Sequence, residues 1–323
     1  MLKPFAFLAF LAALALSVPA FAQPAPDQGL LALQQMDQRV AGIAYRLARS
    51  NLDICERRMP LSGMLVHVLD QFPAAAQPIA AATFGLGADP AVMLVVPGSA
   101  AARAGLQAGD SIQSIAGKSF PARAAGKKGN YARVREIEEH LLESLAAGPV
   151  PVDYVRAGVR RTAVLEPEPG CLSRVQISVS PERNAKADGT YAQVTSGIVN
   201  FARSDDELAL VIAHEMAHNI LGHRLRLKEQ KVSRGLLKSI DGSARKIRST
   251  EVEADYLALY MLARAGYDIG AAPGFWQRYG PNSLLAIFSD GTHPGRSTRV
   301  AAAEATIREI RKKQQQGSPL TPS

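Results

Sequence analysis

The stretch SDDELALVIAHEMAHNILGH, residues 204–223, decides how the rest of the chain is read. Ser204 followed three residues later by Glu207 is a capping-box pattern, which predicts a helix starting there. Leu208, Leu210, Val211, Ile212, Ala213, Ala217, Ile220 and Leu221 make that helix apolar on most sides, so it belongs in a core. Imidazoles on such a helix need partners, because a buried polar group without one is costly. His214 and His218 are one turn apart and share a face. That spacing suits a single Zn²⁺ held through two nitrogens at about 2.0 to 2.1 Å each. Glu215, beside the first histidine, is the candidate general base toward a metal-activated water.

A catalytic zinc takes three protein ligands and keeps one position open. An extended H-E-x-x-H-x-x-G-x-x-H pattern would need Gly at 221 and His at 224, where the chain has Leu221 and Arg224. His223 is therefore read as a helix-end residue near the C-terminal dipole. The better third ligand lies in EVEAD, 251–255, at the start of a helix expected over about 250–266. Glu251 and Asp255 share a face, so Glu251 reaches the metal while Asp255 accepts the N–H of a ligating histidine. Glu253 is the competing choice, pointing elsewhere.

The 323 residues are enough for two domains, with 47% hydrophobic and 20% charged content. Two cysteines exclude a four-cysteine metal or cluster site. Lys3, the apolar run Phe5 to Leu16 and the small-x-small triplet Ala20-Phe21-Ala22 have the form of an export signal cleaved after Ala22. The run is too short to span a bilayer. Export predicts a periplasmic location and lets Cys55 and Cys171 pair, the alternative being two buried thiols. The formal charge is +8. Nucleic acid is not the expected partner, given export and the lack of an interleaved aromatic platform. Residues 222–248 carry nine Lys/Arg against two acids. They read either as a solvated loop beside the cleft or as a patch that attracts an anionic membrane surface, as a peripheral contact, or an acidic substrate.

Residues 83–167 have a different grammar. VVPGSAAARAGLQAGDSIQSIAG (95–117), then a helix at 134–145 and a hairpin around Ala157-Gly158, resemble a PDZ domain of the bacterial protease type. The resemblance implies a groove taking extended or C-terminal peptides by strand addition. Phe84, Gly85, Leu86 and Gly87 stand where such domains often cradle a carboxylate. Further on, Val175–Val179 reads as a strand, and Tyr191–Val194 with Gly197–Val199 as a second, broken at Thr195-Ser196.

H-E-x-x-H, then E-x-E-A-D, then Thr292-His293-Pro294 with Arg299, resembles the gluzincin peptidases of the HtpX, CAAX-prenyl-protease and Oma type, family forty-eight of the metallopeptidases. The resemblance covers about 171–310 and implies one zinc held by His214, His218 and Glu251, with Glu215 as base and Asp255 behind a ligand. It also makes Tyr191–Val194 the edge that aligns a substrate backbone. His293 is open among oxyanion donor, reversible zinc plug and loop-shaping residue, and Arg299 among loop anchor and surface charge.

The expected architecture is α+β: a mainly helical zincin-like domain with a small edge-strand sheet, plus a β-rich PDZ domain. Expected boundaries are a signal at 1–22, a helix and strand packing on the catalytic domain at 23–80, the PDZ domain at 81–168, the metallopeptidase domain at 169–310 and a disordered tail at 311–323. The expected activity is hydrolysis of polypeptides, with misfolded or unassembled envelope proteins as substrates. The alternative is an envelope chaperone or assembly factor whose peptidase site is latent.

Overall fold

The computed structural model describes residues 25–122, 128–232, 243–279 and 294–322. The export signal, Thr292, His293 and the middle of the basic segment lie outside the described residues.

The first helix, α1 (Gln28–Ser50), starts where the Asp27 carboxylate accepts the Leu30 amide at 2.8 Å. Val40, Ile43 and Leu47 recur at helical spacing, and that face is buried. Two short strands follow, β1 (Arg58–Leu61) and β2 (Met64–His67). Next come α2 (Gln77–Phe84), β3 (Ala91–Val95), α3 (Ala100–Arg103), β4 (Ser111–Ile115), α4 (Ala132–Ala147), β5 (Val150–Arg156) and β6 (Val159–Leu165). Strands β2-β3-β4-β5-β6 form one antiparallel sheet in that order. Helix α4 buries Val134, Ile137, Leu141 and Leu145 against it. Asp110 closes the turn before β4 by accepting from Gln107 N at 2.8 Å and from Arg156 Nε at 2.6 Å.

This sheet unit starts earlier than the expected boundary at 81. Strand β2, expected to pack with the N-terminal helix on the catalytic domain, pairs with β3 and shares the sheet's core through Met64 and Val66. The 83–87 stretch is also corrected. Gly85 caps α2 in the left-handed conformation (φ 65°), and the amides of both Gly85 and Leu86 donate to Ala81 O. Those amides terminate a helix and are not free to cradle a carboxylate. Phe84 packs on His67, and Leu86 is buried.

Beyond the sheet the chain returns with β7 (Glu168–Cys171), antiparallel to β1. A disulfide joins Cys55 to Cys171, a sequence separation of 116. The five-stranded unit is thus an insertion between two cross-linked segments. Strands β8 (Arg174–Ser178), β9 (Ala185–Ala187) and β10 (Tyr191–Thr195) form a three-stranded sheet in the order β8-β10-β9. Tyr191–Val194 is therefore the central strand and not the edge that the sequence suggested. The edges are β8 and β9, with β9 antiparallel to β10 beside the main helix.

The remaining elements are α5 (Ser196–Phe201), α6 (Asp205–Ile220), α7 (His223–Glu229), α8 (Ser243–Arg264), α9 (Ala271–Arg278) and α10 (Arg296–Gln315). Gly197–Val199 is helical, capped by the Thr195 hydroxyl, where a strand was expected. The tail expectation is corrected too. Residues 311–315 complete α10, and the segment after it is tied down where Arg264 Nη1 donates to Leu320 O at 3.0 Å. A second core joins α1, α6, α8, α9 and α10. No helix among the described residues is long and apolar enough to cross a membrane.

Candidate metal centre

Helix α6 begins as its sequence dictates. Ser204 Oγ accepts the Glu207 amide at 3.3 Å. Glu207 reaches one residue further back than a capping box requires, accepting from Arg203 N at 2.8 Å and from Arg278 Nη2 at 2.6 Å. From Leu208 to Ala217 the helix is buried on every side, so its two histidines are held in apolar surroundings.

His214 Nε2 and His218 Nε2 lie 3.1 Å apart. Glu251, on α8, brings Oε2 to 3.4 Å from His214 Nε2 and Oε1 to 3.4 Å from His218 Nε2. A tetrahedral ion with bonds of about 2.0 to 2.1 Å has ligand atoms about 3.3 Å apart. The three donors are spaced for one such ion, and two imidazoles with a carboxylate suit zinc. Among the described residues, these three form the one cluster of metal-ligating type. Glu215 is next in sequence to His214 and buried.

The groups behind the ligands also converge. Asp255 Oδ1 accepts from His214 Nδ1 at 2.9 Å. Arg299 clamps the same carboxylate, with Nε to Oδ2 at 2.7 Å, and its guanidinium lies 3.3 Å over the Trp276 ring. Trp276 in turn meets His214 edge-on. Arg299 is thus placed against Asp255, not on the surface.

These partners divide the charge. Burial opposes a proton on His214, but the carboxylates of Asp255 and Glu251 outweigh it and lift its pKa to about 10. Burial and the neighbouring His214 charge push His218 down to about 3. Burial raises Asp255, yet His214 and Arg299 hold it below the usual carboxylate range.

Three features escaped the sequence reading. His223 is not a helix-end residue; it opens α7, and its buried Nδ1 sits 2.8 Å from Nδ1 of His218. Glu253, set aside as pointing elsewhere, faces His223 and pairs with Arg226 at 2.7 Å. Tyr279 donates to Arg183 O at 3.2 Å, just ahead of β9, and feels the charges of Glu215 and Glu251. The left-handed Gly222 (φ 62°), which turns the chain back after α6, was the one available signal for the first. Of the other sequence candidates, Phe84 to Gly87 stand in the separate sheet unit, Cys55 and Cys171 are bonded to each other, and His293 lies outside the described residues.

A buried helix carrying H-E-x-x-H thus stands against a second helix that carries a glutamate and an aspartate one turn apart, the set of residues that the sequence resemblance groups at a metal site. Residues 164–240 match the model of Peptidase family M48. The chain is 31% identical over 118 residues to a Vibrio cholerae protein assigned as a beta-barrel assembly-enhancing protease, covering 28% of this chain and 24% of that protein. It is 30% identical over 134 residues to the mitochondrial metalloendopeptidase OMA1 of Arabidopsis thaliana, covering 36% and 28%. It is 26% identical over 150 residues to OMA1 of Schizosaccharomyces pombe, covering 38% and 42%. The matches span between 24% and 42% of these curated relatives. They support a metallopeptidase of the M48 type.

Proposed function

We propose that the chain is an exported zinc endopeptidase of the bacterial cell envelope, acting on misfolded or unassembled proteins. The observation that carries the reading is the spacing of His214, His218 and Glu251 donor atoms, 3.1 to 3.4 Å, with Glu215 on the same buried helix. Bound there, zinc would supply a Lewis acid that polarises the scissile carbonyl and acidifies a water. Glu215 takes the water's proton and returns it to the leaving nitrogen. Asp255, neutralised by Arg299, holds His214 in the tautomer that leaves Nε2 free to ligate. Strand β9, an edge of its sheet among the described residues, lies beside α6, where an extended substrate adds as a further strand. An unfolded chain supplies such a strand and a native domain does not, which is why misfolded proteins are the proposed class.

The envelope location rests on the signal-like N-terminus, on the disulfide and on the name of the Vibrio cholerae relative. The five-stranded unit is proposed to be a PDZ domain, its PGS turn and GD loop forming the α3 cap and the Asp110 turn.

The test is hydrolysis of an unfolded protein by the zinc-loaded chain lacking residues 1–22, with Glu215→Gln beside it. The expected result is cleavage by the wild type and a loss of at least about 100-fold in the variant, the scale of a lost general base. Equal activity in both would remove Glu215 from the mechanism.

A further inference from the structure

His218 has a separate neighbour for each ring nitrogen. Nε2 faces His214 Nε2 and Glu251 Oε1, at 3.1 and 3.4 Å. Nδ1 lies 2.8 Å from His223 Nδ1. Two ring nitrogens that close share one proton, so one donates and the other accepts. If Nε2 of His218 presents its lone pair to a metal, the proton of that neutral ring is on Nδ1. His218 is then the donor, and His223 accepts on Nδ1 and carries its own proton on Nε2. That Nε2 is buried and has no hydrogen-bond partner among the described residues. Glu253 Oε2 stands 3.5 Å from it, just beyond hydrogen-bond length. Glu253 is itself held by Arg226 Nη2 at 2.7 Å and Ser249 Oγ at 3.1 Å.

We propose that His223 and Glu253 are positioning residues for the metal. They fix the tautomer and ring orientation of His218, as Asp255 and Arg299 do for His214. The proposal rests on the reading of His214, His218 and Glu251 as ligands. It gives both histidines an anchored carboxylate, one direct and one through an intervening imidazole. Each carboxylate carries its own arginine, Arg299 on Asp255 and Arg226 on Glu253. The arrangement also accounts for the spacing of Glu251, Glu253 and Asp255 on α8: the outer two meet the metal and His214, and the middle one meets His223.

The experiment measures zinc affinity by chelator competition and the visible spectrum of the cobalt(II)-loaded chain, with melting of the metal-free chain as the fold control. Loss of an outer partner costs about 10- to 100-fold in metal affinity. His223→Phe, which removes the acceptor, is expected to weaken zinc by that factor and shift the cobalt bands. His223→Gln, whose amide oxygen can accept from His218, is expected to recover most of both. Glu253→Ala, at a half-exposed position that leaves the fold intact, is expected to weaken zinc several-fold. Unchanged affinity and spectrum in Glu253→Ala together with a folded His223→Phe overturns the proposal, as does a His223→Gln no better than His223→Phe. Failure of the wild type to bind zinc overturns the ligand reading beneath it, a result the variants cannot mimic.

Discussion

His67 and His214 are both buried, and their surroundings drive them in opposite directions. His214 has carboxylates on both nitrogens and holds a proton well above its ordinary range. His67 has no hydrogen-bond partner for either nitrogen among the described residues and packs on Phe84, so burial lowers its pKa to about 4. In the unfolded chain it titrates near 6.5. Between about pH 6.5 and 4 the unfolded state binds a proton that the folded state refuses. Stability therefore falls as pH drops through that window, by on the order of 3 kcal/mol at its lower end. Urea titrations at pH 7.5 and pH 5 should show this, and His67→Phe should remove that part of the loss. An equal loss in wild type and variant would mean that His67 is not held neutral. Spacing along a helix was enough to put His214 beside His218 on α6 and Glu251 beside Asp255 on α8, and the structure brings the two pairs together. Spacing failed for His223, because what it touches depends on a turn at Gly222 and on a second helix.

At the scale of elements, α6 was legible because several independent signals agree: a capping serine, acids in the first turn and an apolar run. Helix α5 was not, since its six residues are too few for a helical period to stand out, and Ile198 and Val199 favour a strand. What makes it a helix is the Thr195 cap and its seat against the approach to β9. Gly197 sits so close to that segment that a Cβ would lie 2.3 Å from Glu182 O and 2.4 Å from Pro181 O. The backbone would have to move, and overpacking of this kind costs about 1 to 3 kcal/mol. Gly197→Ala should thus lower the melting temperature and, by displacing β9, reduce peptide hydrolysis. A variant melting with the wild type would show that the loop is not pinned there. The edge strand was misassigned for a related reason: Tyr191–Thr195 has the better strand composition, but pairing on both sides makes it central.

The whole molecule is two cores tied at several points. Arg174 of the helical unit pairs with Glu138 on α4, and Gln34 on α1 donates to Met93 O of β3. The disulfide closes a loop that contains the entire five-stranded unit. In the chain-entropy view such a loop contributes about 5 kcal/mol by restricting the unfolded state. The change of grammar near 170 falls where the chain leaves the core of the sheet unit and returns to the helical core. The first boundary was not legible, because β2 is a strand whose neighbour in the sheet, β3, lies 27 residues on, and pairing at that distance leaves no local mark.

The central claim is that α6 and α8 together hold one metal ion, and metal content measures it directly. We predict one zinc per chain in the wild type and in Glu215→Gln, and its loss in Glu251→Ala. Zinc retained at full stoichiometry and affinity in Glu251→Ala would contradict the account.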